Sequence, residues 1–194
     1  MCGRFYLDSY HDKVREFLES AQEKFPDQVF ATGEIYPSST ILSLGANQQG
    51  EISPGYTKWG FTNPRNKQLL INARSETVTE KPTFKTPFNK YRCVFPMTGY
   101  YEWDKDKKKH YIQSGDLIFA AGFFRRTTHN QQTSFESIIL TQDSAPAIST
   151  IHNRMPVFIP EAKIAQWILD NAFAIDYLAN QAHNYPTYFT SSVQ

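Results

Sequence analysis

The stretch RCVFPMTGYYEWDKDKKKHYIQSGDLIFAAGFF, residues 92–124, decides how the chain folds. Arg92–Met97, Tyr100–Trp103, His110–Gln113 and Leu117–Phe124 are short runs rich in aromatic and branched apolar residues, the pattern of strands joined by tight connections. Asp104–Lys109 (DKDKKK) is charged at every position and reads as the exposed tip of a hairpin. Working outward, similar runs stand at Ser39–Leu44, Tyr56–Phe61 and Gln68–Ala73 on one side, and at Ser134–Thr141 and Arg154–Ile159 on the other. Helical spacing is confined to the two ends. Val14, Phe17, Leu18 and Ala21 recur at i, i+3, i+4 and i+7 and predict an amphipathic helix over Asp8–Phe25, capped by Asp8 or Ser9 and ended by Pro26-Asp27. Pro160 opens a second helical region with Ile164, Trp167 and Ile168 on one stripe, and a further helix is expected over Ala172–Ala182. Many closely spaced strands between terminal helices predict one α+β domain over residues 1–194: a curled, partly barrel-like mixed or antiparallel sheet with flanking helices.

The 194 residues are 40% hydrophobic and 20% charged, which suits a chain with one buried core. No run approaches the roughly 20 apolar residues of a membrane span, and the first residues lack the charged-then-apolar pattern of a secretory signal. Cys2 and Cys93 make neither a disulfide framework nor a metal-ligand spacing. A reducing, cytoplasmic setting with no membrane, metal or cofactor is expected. A net charge of +1 leaves any nucleic-acid binding to local surfaces.

Cys2 stands directly behind Met1. If Met1 is removed, one residue carries both an α-amine, with a reference pKa of about 7.7–8.0, and a thiol, with about 8.5. Such a 1,2-aminothiol condenses with an aldehyde through a carbinolamine and a Schiff base, and the thiol then closes a five-membered thiazolidine. Closure is intramolecular and therefore carries a large effective molarity. By position alone, Cys2 also suits a small apolar core residue.

Three other segments place polar side chains at the borders of strand-like runs: Asn72–Thr77 (NARSET), Gly99–Trp103 (GYYEW) and Ile151–Pro156 (IHNRMP). Cys2 and Arg4, Asn72 and Arg74, and His152 and Arg154 are each two apart, so extended backbone would put each pair on one face. Each face would then join a reactive or orienting group to a guanidinium that reads phosphate oxygens with a two-pronged fork. Arg74 is equally suited to an ion pair with Glu76. His152, before the apolar run at Met155, is the best placed of the histidines for proton transfer near neutrality; His11, His110, His129 and His183 are expected at the surface. Glu102 lies between Tyr101 and Trp103, where desolvation would raise its pKa and make it a proton carrier. Cys93 reads as a buried strand residue. Trp59, Trp103 and Phe5 border the polar segments and could stack on splayed bases. Lys107–Lys109 reads as a solvated loop close enough to Glu102 to steer phosphate.

Together, MCGRF (Met1–Phe5), NARSET, GYYEW and HNRMP (His152–Pro156), in this order, resemble the SOS response-associated peptidase (SRAP) family of abasic-site processing proteins along nearly the entire chain. Trp59-Gly60, Ala121-Gly122 and Pro37 are weaker correspondences. The resemblance implies that Met1 is lost and that Cys2 traps an abasic site in single-stranded DNA as a thiazolidine crosslink, with autoproteolytic and lyase side activities. It assigns Cys2 as nucleophile, Asn72 to the amine, and Glu102 and His152 to the protons. Arg4, Arg74 and Arg154 match motif arginines for the DNA, and Pro37, Trp59 and Trp103 would hold a kinked strand. The implied partner is abasic single-stranded DNA, the expected state a monomer, and the setting nucleoid-associated in a bacterium. Three departures stand out: Asn153 replaces the family's Asp, the stretch after Gly60 lacks a second tryptophan, and Gly33-Glu34 puts an acid near the DNA path. A general thiol peptidase built on Cys2 and His152, and a non-catalytic reader of modified bases, remain open alternatives at this level.

Overall fold

The computed structural model describes residues 2–63, 66–129, 132–181 and 189–194, apart from the side chains of His129, Gln132 and Gln181. Met1, His183, the end of the expected Ala172–Ala182 helix and part of the stretch after Gly60 lie outside the described residues.

The opening stretch threads two sheets. Strand β8 (Arg92–Met97) belongs to a barrel, β9 (Gly99–Trp103) and β10 (Lys109–Gln113) to a second sheet, and β11 (Ile118–His129) returns to pair antiparallel with β8. The barrel is a closed ring of five strands. In order these are β11, β8, β3 (Thr40–Ala46), β4 (Ile52–Trp59) and β12 (Gln132–Asp143), which pairs back onto β11. Only the β4–β12 pairing within the ring is parallel, so the sheet is mixed. β12 continues past the ring and there pairs with β7 (Asn72–Arg74) on one edge and β13 (Arg154–Pro156) on the other. Closure needs Gly122 on β11, because a Cβ there would run into the Ile138 carbonyl and the Phe95 ring.

The second sheet is antiparallel, ordered β14 (Thr190–Val193), β10, β9, β1 (Phe5–Leu7) and β2 (Gly33–Ile35). β1 is therefore an interior strand, and it draws the start of the chain into the centre of the molecule. Thr98 fixes the switch of sheets between β8 and β9: its amide donates to the Tyr6 carbonyl at 2.9 Å, and its hydroxyl accepts from the Asp8 amide at 3.2 Å.

Alternation along the barrel strands divides the core in two. Cys93, Phe95 and Met97 of β8 join Phe5, Leu7, Ile35 and Tyr100 of the second sheet and Val14 and Ala21 of α1 (Asp12–Lys24). Val94 of β8 and Phe123 of β11 face the other way, toward Phe84 and Phe88 of α2 (Pro82–Lys90) and Trp167 of α4 (Ile164–Leu169). Every residue of β8 is buried because both its faces are covered.

The first helix keeps its expected apolar stripe but starts at Asp12, with His11 as its cap. The Asp8 carboxylate instead accepts from the Tyr10 amide at 2.9 Å, forming a turn ahead of the helix. The C-terminal helical region is broken: after α4, the Asp170 side chain accepts from the Phe173 amide and starts α5 (Asn171–Asp176), followed by a π-helical turn over Tyr177–Gln181. One buried cation ties these helices to the barrel. Arg92 donates to the Trp167, Ile168, Phe88 and Asn89 carbonyls and to Asn171 Oδ1 at 2.6–3.2 Å, satisfying the C-terminal ends of α2 and α4 together. Replacing Arg92 with Met leaves those acceptors buried and unmet. The expected result is a loss of at least about 3 kcal/mol, read from the urea midpoint; an unchanged midpoint contradicts the clamp.

Candidate functional site

The start of the chain runs inward along the end of β9. The Tyr101 amide donates to the Arg4 carbonyl at 2.9 Å, which extends the β1–β9 ladder by one step. Arg4 stays on the sheet face that carries Tyr6, Tyr101 and Trp103, whereas Cys2 turns into the core and is fully buried. Glu102, on the core face of β9, is also almost wholly buried.

Cys2 and Glu102 perturb one another. Burial pushes the Cys2 thiol far above its ordinary range, and the negative charge of Glu102 pushes it further. Burial likewise pushes the Glu102 carboxyl up to about 7, against the pull of the positive charge at the amino terminus. A carboxyl held there exchanges protons at neutral pH, which is what a general acid–base group requires. The His152 pKa is lowered chiefly by burial.

His152 follows α3 (Pro146–Ser149), and its amide donates to the Ile148 carbonyl at 3.0 Å. His152 Nδ1 lies 3.0 Å from the Arg154 amide and 3.2 Å from the Arg154 carbonyl; in the tautomer that accepts from the amide, the neutral ring's proton is on Nε2. His152 is therefore not on an extended strand with Arg154, and the expected shared face fails at this pair. The hydrogen bond folds the ring back instead.

Arg154, expected to contact DNA, is a structural clamp. Its guanidinium grips Glu76 with two bonds of 2.7 and 2.9 Å, and also reaches Asp143 at 2.6 Å and the Thr141 carbonyl at 2.6 Å. Burial lowers its pKa, but the two carboxylates outweigh this and raise it. These bonds lock the His152 loop against the residues following Asn72. Arg154→Gln should cost about 1–2 kcal/mol, since both carboxylates are substantially exposed. Denaturant titration checks this, with DNA affinity expected to hold; lost affinity at unchanged stability contradicts the clamp. Glu76, the alternative ion-pair partner for Arg74, is gripped by Arg154, and Arg74 is exposed.

Asn72 begins β7. Its Nδ2 reaches the Ile139 carbonyl at 3.5 Å, while its buried Oδ1 has no hydrogen-bond partner among the described residues. An acceptor in that state suits an amine N–H. Trp59 sits between this strand and β1: its ring packs on Phe5 at 5.3 Å, and Nε1 donates to the Ile71 carbonyl at 3.1 Å. Trp59 and Phe5, expected to border a nucleic-acid path, are wholly buried and unavailable for base stacking. They hold Asn72 in register instead.

Trp103 is half-buried on the Arg4 face, with the Arg4 guanidinium 5.1 Å from its ring centre. Pro37 is half-buried in a turn with Ser38 at φ 74°, closed by the Ser39 amide on the Tyr36 carbonyl at 3.2 Å. The turn exposes Tyr36, whose ring centre lies 4.0 Å from the Arg4 guanidinium.

Sequence reasoning missed Tyr36 and the Tyr100 hydroxyl here, and read Lys109 only as part of a solvated loop able to steer phosphate. Tyr36 and Lys109 join the Arg4 cluster, and Lys109 leaves the solvated lysine run because it pairs in register with Trp103. The Tyr100 hydroxyl, buried with no hydrogen-bond partner among the described residues, lies in the fields of Cys2 and Glu102; only its place two residues before Glu102 could have signalled it. His110, expected at the surface, is a strand residue whose Nε2 pairs with Asp104 Oδ2 at 2.8 Å.

The family model described as SOS response associated peptidase (SRAP) matches residues 1–191. The chain belongs to the SRAP family. Among SRAP relatives, it is 31% identical to the abasic site processing protein YoaM of Bacillus subtilis, over 92% of this chain and 83% of that protein. It is 30% identical to the abasic site processing protein YoqW of the same organism, over 95% and 88%. A crystal structure of a protein from Bordetella bronchiseptica superposes with a TM-score of 0.80, covering 100% of this chain and 99% of that one at 19% identity. That likeness supports the SRAP fold with its closed mixed sheet. No helix among the described residues is long and apolar enough to cross a membrane.

Proposed function

We propose that this SRAP protein processes abasic sites in single-stranded DNA by capturing their aldehyde with Cys2 after loss of Met1. The observation that carries the reading is the pairing of a buried Cys2 with a buried Glu102 whose pKa lies near 7. The related proteins named for abasic-site processing, at about 30% identity over most of the chain, support the substrate class.

The steps balance as follows. The neutral Cys2 amine adds at C1′ as the furanose opens; His152 Nε2–H protonates the departing ring oxygen, and the imidazole recovers the proton that the added amine nitrogen loses. Protonated Glu102 gives its proton to the carbinolamine hydroxyl, which leaves as water. The thiol then adds to the imine carbon; Glu102 takes the thiol proton, and the ring nitrogen ends as a secondary amine. Aldehyde and aminothiol become thiazolidine plus one water. Asn72 Oδ1 accepts from the amine and orients its lone pair. If ring closure stalls, β-elimination from the imine cuts the strand, which is the lyase branch. The peptidase activity is removal of Met1 by attack of Cys2 on the preceding peptide bond. Arg74 and Trp103 contact the strand with Arg4 and Pro37.

Incubation with a labelled abasic oligonucleotide followed by a denaturing gel tests the proposal. A slow band that survives heat and denaturant is expected. Cleavage of unrelated polypeptides with no such band overturns it in favour of a general thiol peptidase.

A further inference from the structure

Arg4 and Lys109 come from different parts of the chain and converge on one carboxylate oxygen. Glu34 Oε1 lies 2.9 Å from Arg4 Nη1 and 2.6 Å from Lys109 Nζ. Each cation rests on aromatic rings, Arg4 on Tyr36 and Trp103, and Lys109 on Tyr101 at 4.1 Å. Stacking of this kind restricts long side chains and preorganises their charges. All three side chains are 25–27% exposed, so the cradle opens to solvent. It occupies the face of the second sheet opposite Glu102, beside the point where the chain turns inward to Cys2.

Two buttressed cations around one oxygen make an anion subsite, and here the chain supplies the anion. We infer that Glu34 occupies the place of a backbone phosphate between Arg4 and Lys109, that Lys109 is a DNA-binding residue, and that the incoming strand displaces the Glu34 carboxylate. The inference rests on the DNA-processing reading above and adds to it a built-in competitor. Partial burial pushes the Glu34 carboxyl up, but Lys109 and Arg4 outweigh it and hold the group below the usual carboxylate range, so it competes as an anion at every physiological pH. A phosphate must therefore replace an existing ion pair rather than fill open space, which lowers affinity for any strand.

The test is fluorescence anisotropy with an abasic-free single-stranded oligonucleotide across a salt series, using the full chain as wild type, Glu34→Gln and Lys109→Gln. Glu34→Gln should bind several-fold more tightly at low salt. Its log–log salt dependence should steepen by about 0.7, because one more cation becomes available to the strand. Lys109→Gln should weaken binding and flatten the slope by a similar amount. A folded Glu34→Gln whose affinity is unchanged or lower overturns the inference. If that variant does not fold, Lys109→Gln decides alone, and an unchanged slope overturns it. Wild-type protein is tested in parallel with an abasic oligonucleotide. A covalent adduct without any Glu34 effect removes only this inference, and a Glu34 effect without an adduct removes only the crosslinking reading.

Discussion

Cys2→Ala is expected to abolish the denaturant-stable adduct with abasic single-stranded DNA and to leave noncovalent binding within about threefold. The magnitude follows from where the residue lies and what it supplies. Cys2 is fully buried and its thiol donates only to the Arg4 carbonyl, at 3.8 Å, so its loss leaves the Arg4 guanidinium on the outer face. Because the Cys2 thiol also removes Met1, the variant is prepared with Met1 taken off by an added aminopeptidase; alanine then presents the α-amine, and Schiff base formation with the aldehyde continues. What disappears is the intramolecular second step, whose advantage reaches effective molarities of about 10⁵ M or more. The imine then reverts or undergoes β-elimination, so the variant should show more strand cleavage as the crosslink vanishes. Borohydride reduction traps the imine and distinguishes the two fates. An undiminished, reductant-independent adduct in Cys2→Ala contradicts the aminothiol mechanism outright.

Glu102→Gln should move activity and stability in opposite directions. As the proton carrier for dehydration and ring closure, Glu102 contributes on the order of 100-fold in rate. The wild-type crosslinking rate should lose an acid-dependent component as pH rises through about 7, and the variant should lack that limb. The stability effect comes from the same burial. The folded-state pKa of about 7 lies above the ordinary 4.5, so the folded protein binds more protons between those values. Stability must therefore fall as pH rises from about 4.5 to about 7, and the full cost of the buried carboxylate is present above that window. Two and a half pK units correspond to at most about 3 kcal/mol. Glu102→Gln should thus be more stable than wild type at pH 8 and close to it at pH 4.5, by urea denaturation at both pH values. Equal rates and equal stabilities throughout would remove Glu102 from the mechanism.

The sequence announced its elements where a single periodicity ran long enough to be read. The stripe of Val14, Phe17, Leu18 and Ala21 specified α1, and the four runs over residues 92–124 became β8 to β11 in order. α2 escaped because its apolar signal is only Phe84 and Phe88 in a segment carrying Pro82 and Pro87. β14 is four exposed residues that exist as a strand only through pairing with β10. Gly60, at φ 115°, separates β4 from the two-residue β5 (Phe61–Thr62), and Ile71 separates β6 (Leu69–Leu70) from β7.

At the candidate site, the raised pKa expected for Glu102 was legible because it depends on local residue type and aromatic neighbours. Arg154 was not. Its partner Glu76 lies 78 positions away, and the spacing of two that suggested a shared face with His152 carried no information about that pairing. Trp59 was misread for the same reason, since only the closed barrel shows that Phe5 and the Ile71 carbonyl surround it. Glu34 was visible as a departure from the family pattern, but its grip on Lys109 depended on the β9–β10 register.

The central claim is that Cys2 supplies an amine and a thiol together to an aldehyde in DNA. Intact mass spectrometry of the purified protein, before and after incubation with an abasic oligonucleotide, tests it most directly. The account predicts a starting mass lacking Met1, and a product equal to that mass plus the oligonucleotide minus one water, stable to denaturation without reductant. A protein that has lost Met1 and gives no such product contradicts it.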